Sequence, residues 1–419
     1  MKKNGFTLVE ITVCVVLLVT IFLIVVPKVN TMINNKKKNA YNSLISTVKD
    51  AAQAYVYLNV NIVDDAIESQ GYYEVSIRTL QENELLENKL ENPLTGKNIP
   101  STSIVKIIKN NEEYIYKFSL DYQYLLEHII DLYSSEETRI SNGLKKDNTP
   151  DQNIRYYGSN PNNYVSFNNE LWRIIGVFGN NVKLVRKDSL GSLSWDSSES
   201  SINGGFGVNE WSQADLQVYL NKMYYGGDTT VTCYGGTKNS TKTCPTNRLD
   251  NTAKTLIDNH TWNTGAIEYN TRTDTVAFYK DERGNQTGKI CNGGTFCSDT
   301  VERTTTWTGY IGLPYPTDYA YASSENICET NMVKQDSSDA YICENNNWMF
   351  KSIWYWTLSP FARSANSRYV WYVNGDGDVN NSNAASGGAV FPAIYLKSNV
   401  LIESGAGTSS NPYILKAGS

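Results

Sequence analysis

Histidine is almost missing from this chain: His128 and His260 are the only two in 419 residues. The commonest metal ligand and general base is thus removed from most of the sequence, which puts enzyme readings at a disadvantage. Positive charge is not in excess either. With a formal net charge of -6 there is no global basic field, and nucleic acid is not expected as a partner. No fixed-period repeat is visible. Close cysteine pairs of the CxxC kind are missing, as is a histidine beside the cysteines, which weighs against a zinc site; no cofactor is expected. What the chain does have is 40% hydrophobic and 19% charged residues, with 29 Tyr and 9 Trp. It is long enough to bury sizeable cores in two or three domains.

From Phe6 to Val26 the only charged residue is Glu10. At about 1.5 Å per residue, a helix of that length crosses a hydrocarbon core of about 30 Å. The run ends in Val25-Val26-Pro27-Lys28 without a small-x-small site, so ordinary signal-peptide cleavage is not expected. A carboxylate in such a segment costs about 2.5 to 3.5 kcal/mol at the membrane centre and calls for a partner. No basic residue follows until Lys28. The partner must therefore lie outside the span.

Lys2-Lys3-Asn4-Gly5 followed by Phe6-Thr7-Leu8-Val9-Glu10 resembles the leader of type IV prepilins and pseudopilins. The resemblance implies cleavage between Gly5 and Phe6 by a prepilin peptidase and N-methylation of Phe6. Cutting there creates a cationic amine at Phe6. Glu10 can then neutralise the amine of a neighbouring subunit as helices pack into a filament. Counting Lys2 and Lys3 before the span against Lys28, Lys36, Lys37 and Lys38 after it would leave the C-terminal part inside the cell. Long domains translocate largely regardless of flanking charge, and the cysteines favour the exterior.

Beyond Pro27, Tyr41, Leu44, Ile45, Val48, Ala51, Ala52 and Tyr55 recur at helical spacing, which extends one long helix from about Phe6 to Leu58, its second half packed on a sheet. Ser103 to Ile108 and Glu113 to Phe118, split by Asn110-Asn111, read as a β-hairpin. Helix and hairpin together resemble the small head of pilins. Residues 134–163 are polar and read as a linker, with Lys145, Lys146 and Arg155 as solvated charges. From Tyr164 the chain turns to Trp-rich short strands; 171–178 (LWRIIGVF) and Val182 to Arg186 form its clearest hairpin, and a short helix follows at Ser212 to Met223. LWRIIGVF, the helix DLQVYLN, WTLSP and GGAVFPAIYLKSNV resemble bacterial extracellular domains of C-type-lectin-like or formylglycine-enzyme-like topology.

Cys14 falls in the N-terminal apolar run and reads as a small apolar filler. The other six cysteines lie in the C-terminal module. Sequential pairing closes short loops, giving Cys233 with Cys244, Cys291 with Cys297, and Cys328 with Cys343, as in an oxidising compartment. A copper-binding pair for oxidase chemistry would need these same cysteines. His260, in Asp258-Asn-His-Thr-Trp262, has no evident nucleophile partner. Asn374, Asp376, Asp378 and Asn380 alternate as oxygen donors and raise calcium, but Val379 and Ala385 stand where an EF-hand loop has Gly and Glu. A tight hairpin is preferred, and no metal is assigned. Trp354, Trp356 and Trp371 could form an aromatic platform, although alternation on a two-sided sheet favours core.

The expected fold class is α+β: a long N-terminal transmembrane-amphipathic helix packed on a small antiparallel sheet, then a larger β-rich, disulfide-containing domain. The divisions are a leader (1–5), a transmembrane helix (6–26), a pilin-like head (27–133), a linker (134–163) and an extracellular module (164–419). The expected function is a pilin-like structural subunit and not an enzyme, a minor or tip subunit displaying a binding domain. The alternative is a membrane-anchored adhesin or lectin-like protein that does not polymerise. Expected partners are prepilin peptidase, other pilin subunits, the membrane, and a carbohydrate or protein ligand. The expected location is the cell membrane, single-pass with the C-terminal part outside, and an extracellular filament after processing.

Overall fold

The computed structural model describes residues 43–93, 98–110, 113–119, 123–268, 274–284, 303–333, 342–362 and 367–417, with the single positions 36 and 40. The leader, Gly5, Phe6, Glu10, Cys14, the expected span 6–26, Cys291 and Cys297 lie outside the described residues. The chain divides into two compact units, 1–123 and 124–419.

In the first unit the heptad-like spacing of Val48, Ala51, Ala52, Tyr55 and Val56 gives helix 43–58 one buried face. The opposite face carries polar and exposed residues, Tyr57 and Leu58 among them. Asn59 leaves the helical region at φ -131° and its side chain donates to the Tyr55 carbonyl at 2.9 Å. A separate helix, Val60–Gln70, follows and ends on Gly71 at φ +86°, the left-handed stop that glycine takes without steric cost. Ser76 closes the strand Tyr73–Ser76 and caps the helix Ile77–Glu82, its side chain accepting the Thr79 N–H. The expected hairpin forms from Ile104–Asn110 and Glu113–Ser119, with Asn110 opposite Glu113. Tyr73–Ser76 completes a three-stranded antiparallel sheet, and Val48, Ala52, Val63, Val75, Leu80, Val105 and Ile107 share its core.

The expected class is corrected here. The described chain is a mixed α/β protein, and among the described residues no helix is long and apolar enough to cross a membrane. A span needs about 20 mostly apolar residues; helix 43–58 carries Lys49 and Asp50, and the next breaks off at Gly71. The single-pass membrane location, with the C-terminal part outside, is withdrawn on the same finding.

The second unit is built on a mixed sheet. Its order runs Ile311–Gly312, Ala393–Leu396, Asn181–Arg186, Glu170–Phe178, Tyr164–Phe167, Tyr413–Ala417, Val400–Ser404. The hairpin read from LWRIIGVF pairs Phe178 with Asn181 and Trp172 with Arg186. The C-terminal strand lies parallel to Tyr164–Phe167. A second sheet orders Ser192–Ser194, Gly387–Ala389, Tyr355–Ala362, Tyr369–Val373 and Val379–Asn383. Trp356 and Trp371 are fully buried, and the indole N–H of Trp356 donates to the Leu193 carbonyl at 3.0 Å. These rings pack the core and form no exposed platform.

Residues 134–163, read from their polarity as a linker, hold the helix Glu136–Ser141 and the strands Leu144–Lys146 and Ile154–Tyr156, the latter paired with Glu170–Phe178. Arg155 is not solvated: it is 1% exposed and bonded to Asp147 at 2.9 Å and Asp318 at 2.6 Å. Lys145 donates to the Ser323 carbonyl at 2.8 Å and pairs with Glu329.

Candidate functional site

The second unit contains an open cleft of about 790 Å³, lined by Asp196, Glu199, Glu210, Asp215, Tyr234 and Arg303 among others. That volume lies within the range of about 300 to 1,000 Å³ that small-molecule sites occupy. Three local features shape it. Strand Ser192–Ser194 delivers Trp195 into the core and leaves Asp196 at the cleft wall. Gly207, at φ +82°, passes so close that a Cβ there would stand 2.4 Å from the Asp196 carbonyl oxygen. The hairpin of Cys233–Gly236 and Ser240–Lys242 supplies Tyr234 and Asn239 and is stapled by the Cys233–Cys244 disulfide. Ser197 ties it down: its hydroxyl donates to the Gly236 carbonyl at 2.9 Å and accepts the Asn239 N–H at 3.0 Å.

The cleft wall is acidic. Asp196 accepts the Val208 N–H at 2.6 Å and the Asp215 N–H at 3.2 Å, while Asp215 accepts the Ser197 N–H at 2.8 Å. Burial, with the Asp215 charge adding to it, pushes the Asp196 carboxyl up to about 7 against the pull of the Val208 N–H. Burial raises Asp215 as well. Glu210 accepts both the Thr304 N–H at 3.0 Å and the Thr304 hydroxyl at 2.6 Å. Arg303, held by a 2.8 Å bond from its Nε to Asn209, brings one cation to the rim. Such a wall suits a ligand rich in hydrogen-bond donors, and a protonated Asp196 adds a donor of its own.

None of the cleft residues was singled out from the sequence as a site. The available signal was the string Ser194-Trp-Asp-Ser-Ser-Glu199, two acids among small polar residues directly after a buried tryptophan. Two of the expected disulfides are formed, Cys233–Cys244 and Cys328–Cys343. Asn374, Asp376 and Asp378 fall at the turn joining Tyr369–Val373 to Val379–Asn383, and Asn380 lies on the second of these strands, paired with Tyr372. Asn374 donates its N–H to the Asp378 carbonyl at 2.8 Å, closing the hairpin. The side-chain oxygens of Asn374 and Asn380 already accept the N–H groups of Gly375 and Asn381, each at 2.8 Å. Among the described residues no group of three or more His, Cys, Asp and Glu side chains is placed to hold a metal ion. His260 stacks on Tyr395 with ring centres 3.7 Å apart and pairs with Asp258 at 3.1 Å, an arrangement of packing.

Comparison of the chain with protein-family models, with curated proteins and with solved structures gives no match.

Proposed function

We propose that this chain is a pilin-like structural subunit, processed after Gly5 by a prepilin peptidase and assembled through its N-terminal segment into a filament, where its second unit is displayed as a binding module. The observation that carries this reading is the run Gly5-Phe6-Thr-Leu-Val-Glu10 standing ahead of a unit in which helix 43–58 packs on a three-stranded antiparallel sheet. The second unit supports the display role. Among its described residues it has its own core, two disulfides, and a cleft of about 790 Å³ whose size suits a short saccharide or peptide.

The test is co-expression of the full chain with a prepilin peptidase, followed by N-terminal sequencing. A mature chain beginning at methylated Phe6 is the expected result, and an uncut Met1 or a cut elsewhere would overturn the reading. Glu10→Ala should still be cut while its incorporation into filaments falls by an order of magnitude or more. Equal incorporation of the variant would overturn the role given to Glu10, and absence of the cleaved wild-type chain from filaments would favour a displayed binding protein that does not polymerise.

A further inference from the structure

Outside the residues that line the cleft, the second unit buries a lysine against an aspartate in a box of aromatic rings. Lys183 lies on the central strand Asn181–Arg186 and Asp318 on the helix Pro316–Tyr321, 135 residues apart. Their side chains are fully buried, with Nζ 2.5 Å from Oδ2. Around Nζ stand the rings of Tyr315 at 4.1 Å, Trp262 and Tyr395 at 5.3 Å, and Phe178 at 5.5 Å. The other aspartate oxygen, Oδ1, accepts Arg155 Nη1 at 2.6 Å. A second carboxyl, Glu282, is also completely buried, and the hydroxyl of Thr317, next to Asp318 in the chain, reaches both its oxygens at 2.9 Å.

The geometry points to an intramolecular amide cross-link between Lys183 and Asp318, formed by condensation of the two side chains after folding. Nζ attacks Cγ, the C–N bond forms and the Cγ–Oδ2 bond breaks. Oδ2 leaves as water with two of the three ammonium protons. The third proton stays on the amide nitrogen, so atoms and charge balance without a further reactant. Oδ1 remains as the amide oxygen, where the Arg155 hydrogen bond stabilises the negative charge that develops in the tetrahedral intermediate.

Three physical arguments support the step. Two charges sealed in an apolar box each carry a desolvation penalty of several kcal/mol, and the neutral amide removes both. The reacting groups are already in contact, Nζ 2.5 Å from Oδ2, so no translational or rotational freedom has to be lost to bring them together. The protonation states also suit the chemistry. Burial pulls Lys183 down to about 8 although Asp318 opposes it, so a free amine is accessible. Burial pushes Glu282 up to about 8, keeping its proton at neutral pH within the field of both partners. Burial works to raise Asp318 too, but Lys183 and Arg155 hold it below the usual range, so protonating this carboxylate is the demanding part of the reaction. After condensation Arg155 and Asp147, 2.9 Å apart, still balance each other.

Mass spectrometry of the purified full chain, reduced and alkylated, tests this directly. The expected result is a mass short by one water, and a branched peptide joining the Lys183 and Asp318 segments after proteolysis. Lys183→Arg should restore the full mass. A wild-type chain of full mass, with Lys183 recovered only in linear peptides after prolonged incubation, would overturn the cross-link whether or not the variants fold.

Discussion

The hydroxyl of Tyr413 lies 2.9 Å from Nε2 of His128, and the two rings meet edge to face with centres 5.4 Å apart. This contact binds the helix Leu125–Ser134 to the C-terminal strand Tyr413–Ala417 of the same unit. Burial pulls His128 from its ordinary 6.5 down to about 4. The folded state therefore refuses a proton that the unfolded chain accepts below pH 6.5. Stability contributed by the neutral ring is complete above that pH and lost as pH falls toward 4, at most about 3 kcal/mol. Urea titrations between pH 7 and 4 should show this loss, and His128→Phe should flatten that part of the profile. An unaltered slope in the variant would place the acid sensitivity elsewhere.

Asp196 has the opposite sign. Its folded carboxyl holds a proton to about 7, whereas the unfolded side chain releases it near the ordinary value of 3.8. The folded state binds more protons in that window, so this contribution is largest in acid and declines as pH rises from about 4 to about 7. The full difference is on the order of 4 kcal/mol. Asp196→Asn should abolish the decline. It should also cost about 1 to 3 kcal/mol at acidic pH, because one amide oxygen cannot accept both the Val208 and Asp215 N–H groups. Chemical denaturation at pH 4 and pH 7 separates the two effects.

The contrast between hairpins and charges explains what the sequence made legible. Ile104–Asn110 with Glu113–Ser119, and Glu170–Phe178 with Asn181–Arg186, are adjacent alternating runs around Asn- or Gly-containing turns, so their pairing is local and could be read. Arg155 looked solvated because its polar neighbours are what a window shows. Its second partner, Asp318, is 163 residues away. The cleft escaped for the same reason: its wall comes from 196–215, 234–239 and 303–304, segments that only the fold brings together. The parallel pairing of Tyr413–Ala417 with Tyr164–Phe167 leaves no local pattern either. The N-terminal run Gly5 to Glu10 is the reverse case, read from sequence alone and lying outside the described residues.

The Cys233–Cys244 disulfide closes a loop of sequence separation 11 around the hairpin that carries Tyr234 and Asn239 into the cleft. Loop-closure entropy gives such a bond about 3 kcal/mol. The double variant Cys233→Ser, Cys244→Ser should lower the stability of the second unit by about that amount. It should also speed amide exchange at 233–242 more than in the central strand Asn181–Arg186. Exchange that rises equally in both places would show that the bond stabilises the unit without shaping the cleft.

Gly176 offers the sharpest single-residue test of the central sheet. It sits where the pairing of Glu170–Phe178 with Asn181–Arg186 shifts register, between Ile174 and Gly176. On its other side Ile154–Tyr156 crosses so closely that a Cβ on residue 176 would stand 2.1 Å from the Ile154 carbonyl oxygen. That obstacle is backbone, so no rotamer change relieves it. Gly176→Ala must push Ile154–Tyr156 off the sheet, and with it Arg155, whose bonds to Asp147 and Asp318 depend on that strand. Displacing a buried, paired guanidinium costs about 3 to 5 kcal/mol. The variant should therefore lose at least that much in urea titration, whereas Gly179→Ala in the exposed turn, where a Cβ meets nothing within 4 Å, should lose only about 1 kcal/mol from its left-handed backbone. Equal losses at the two positions would mean that the strand through Arg155 is not held against Gly176 as described.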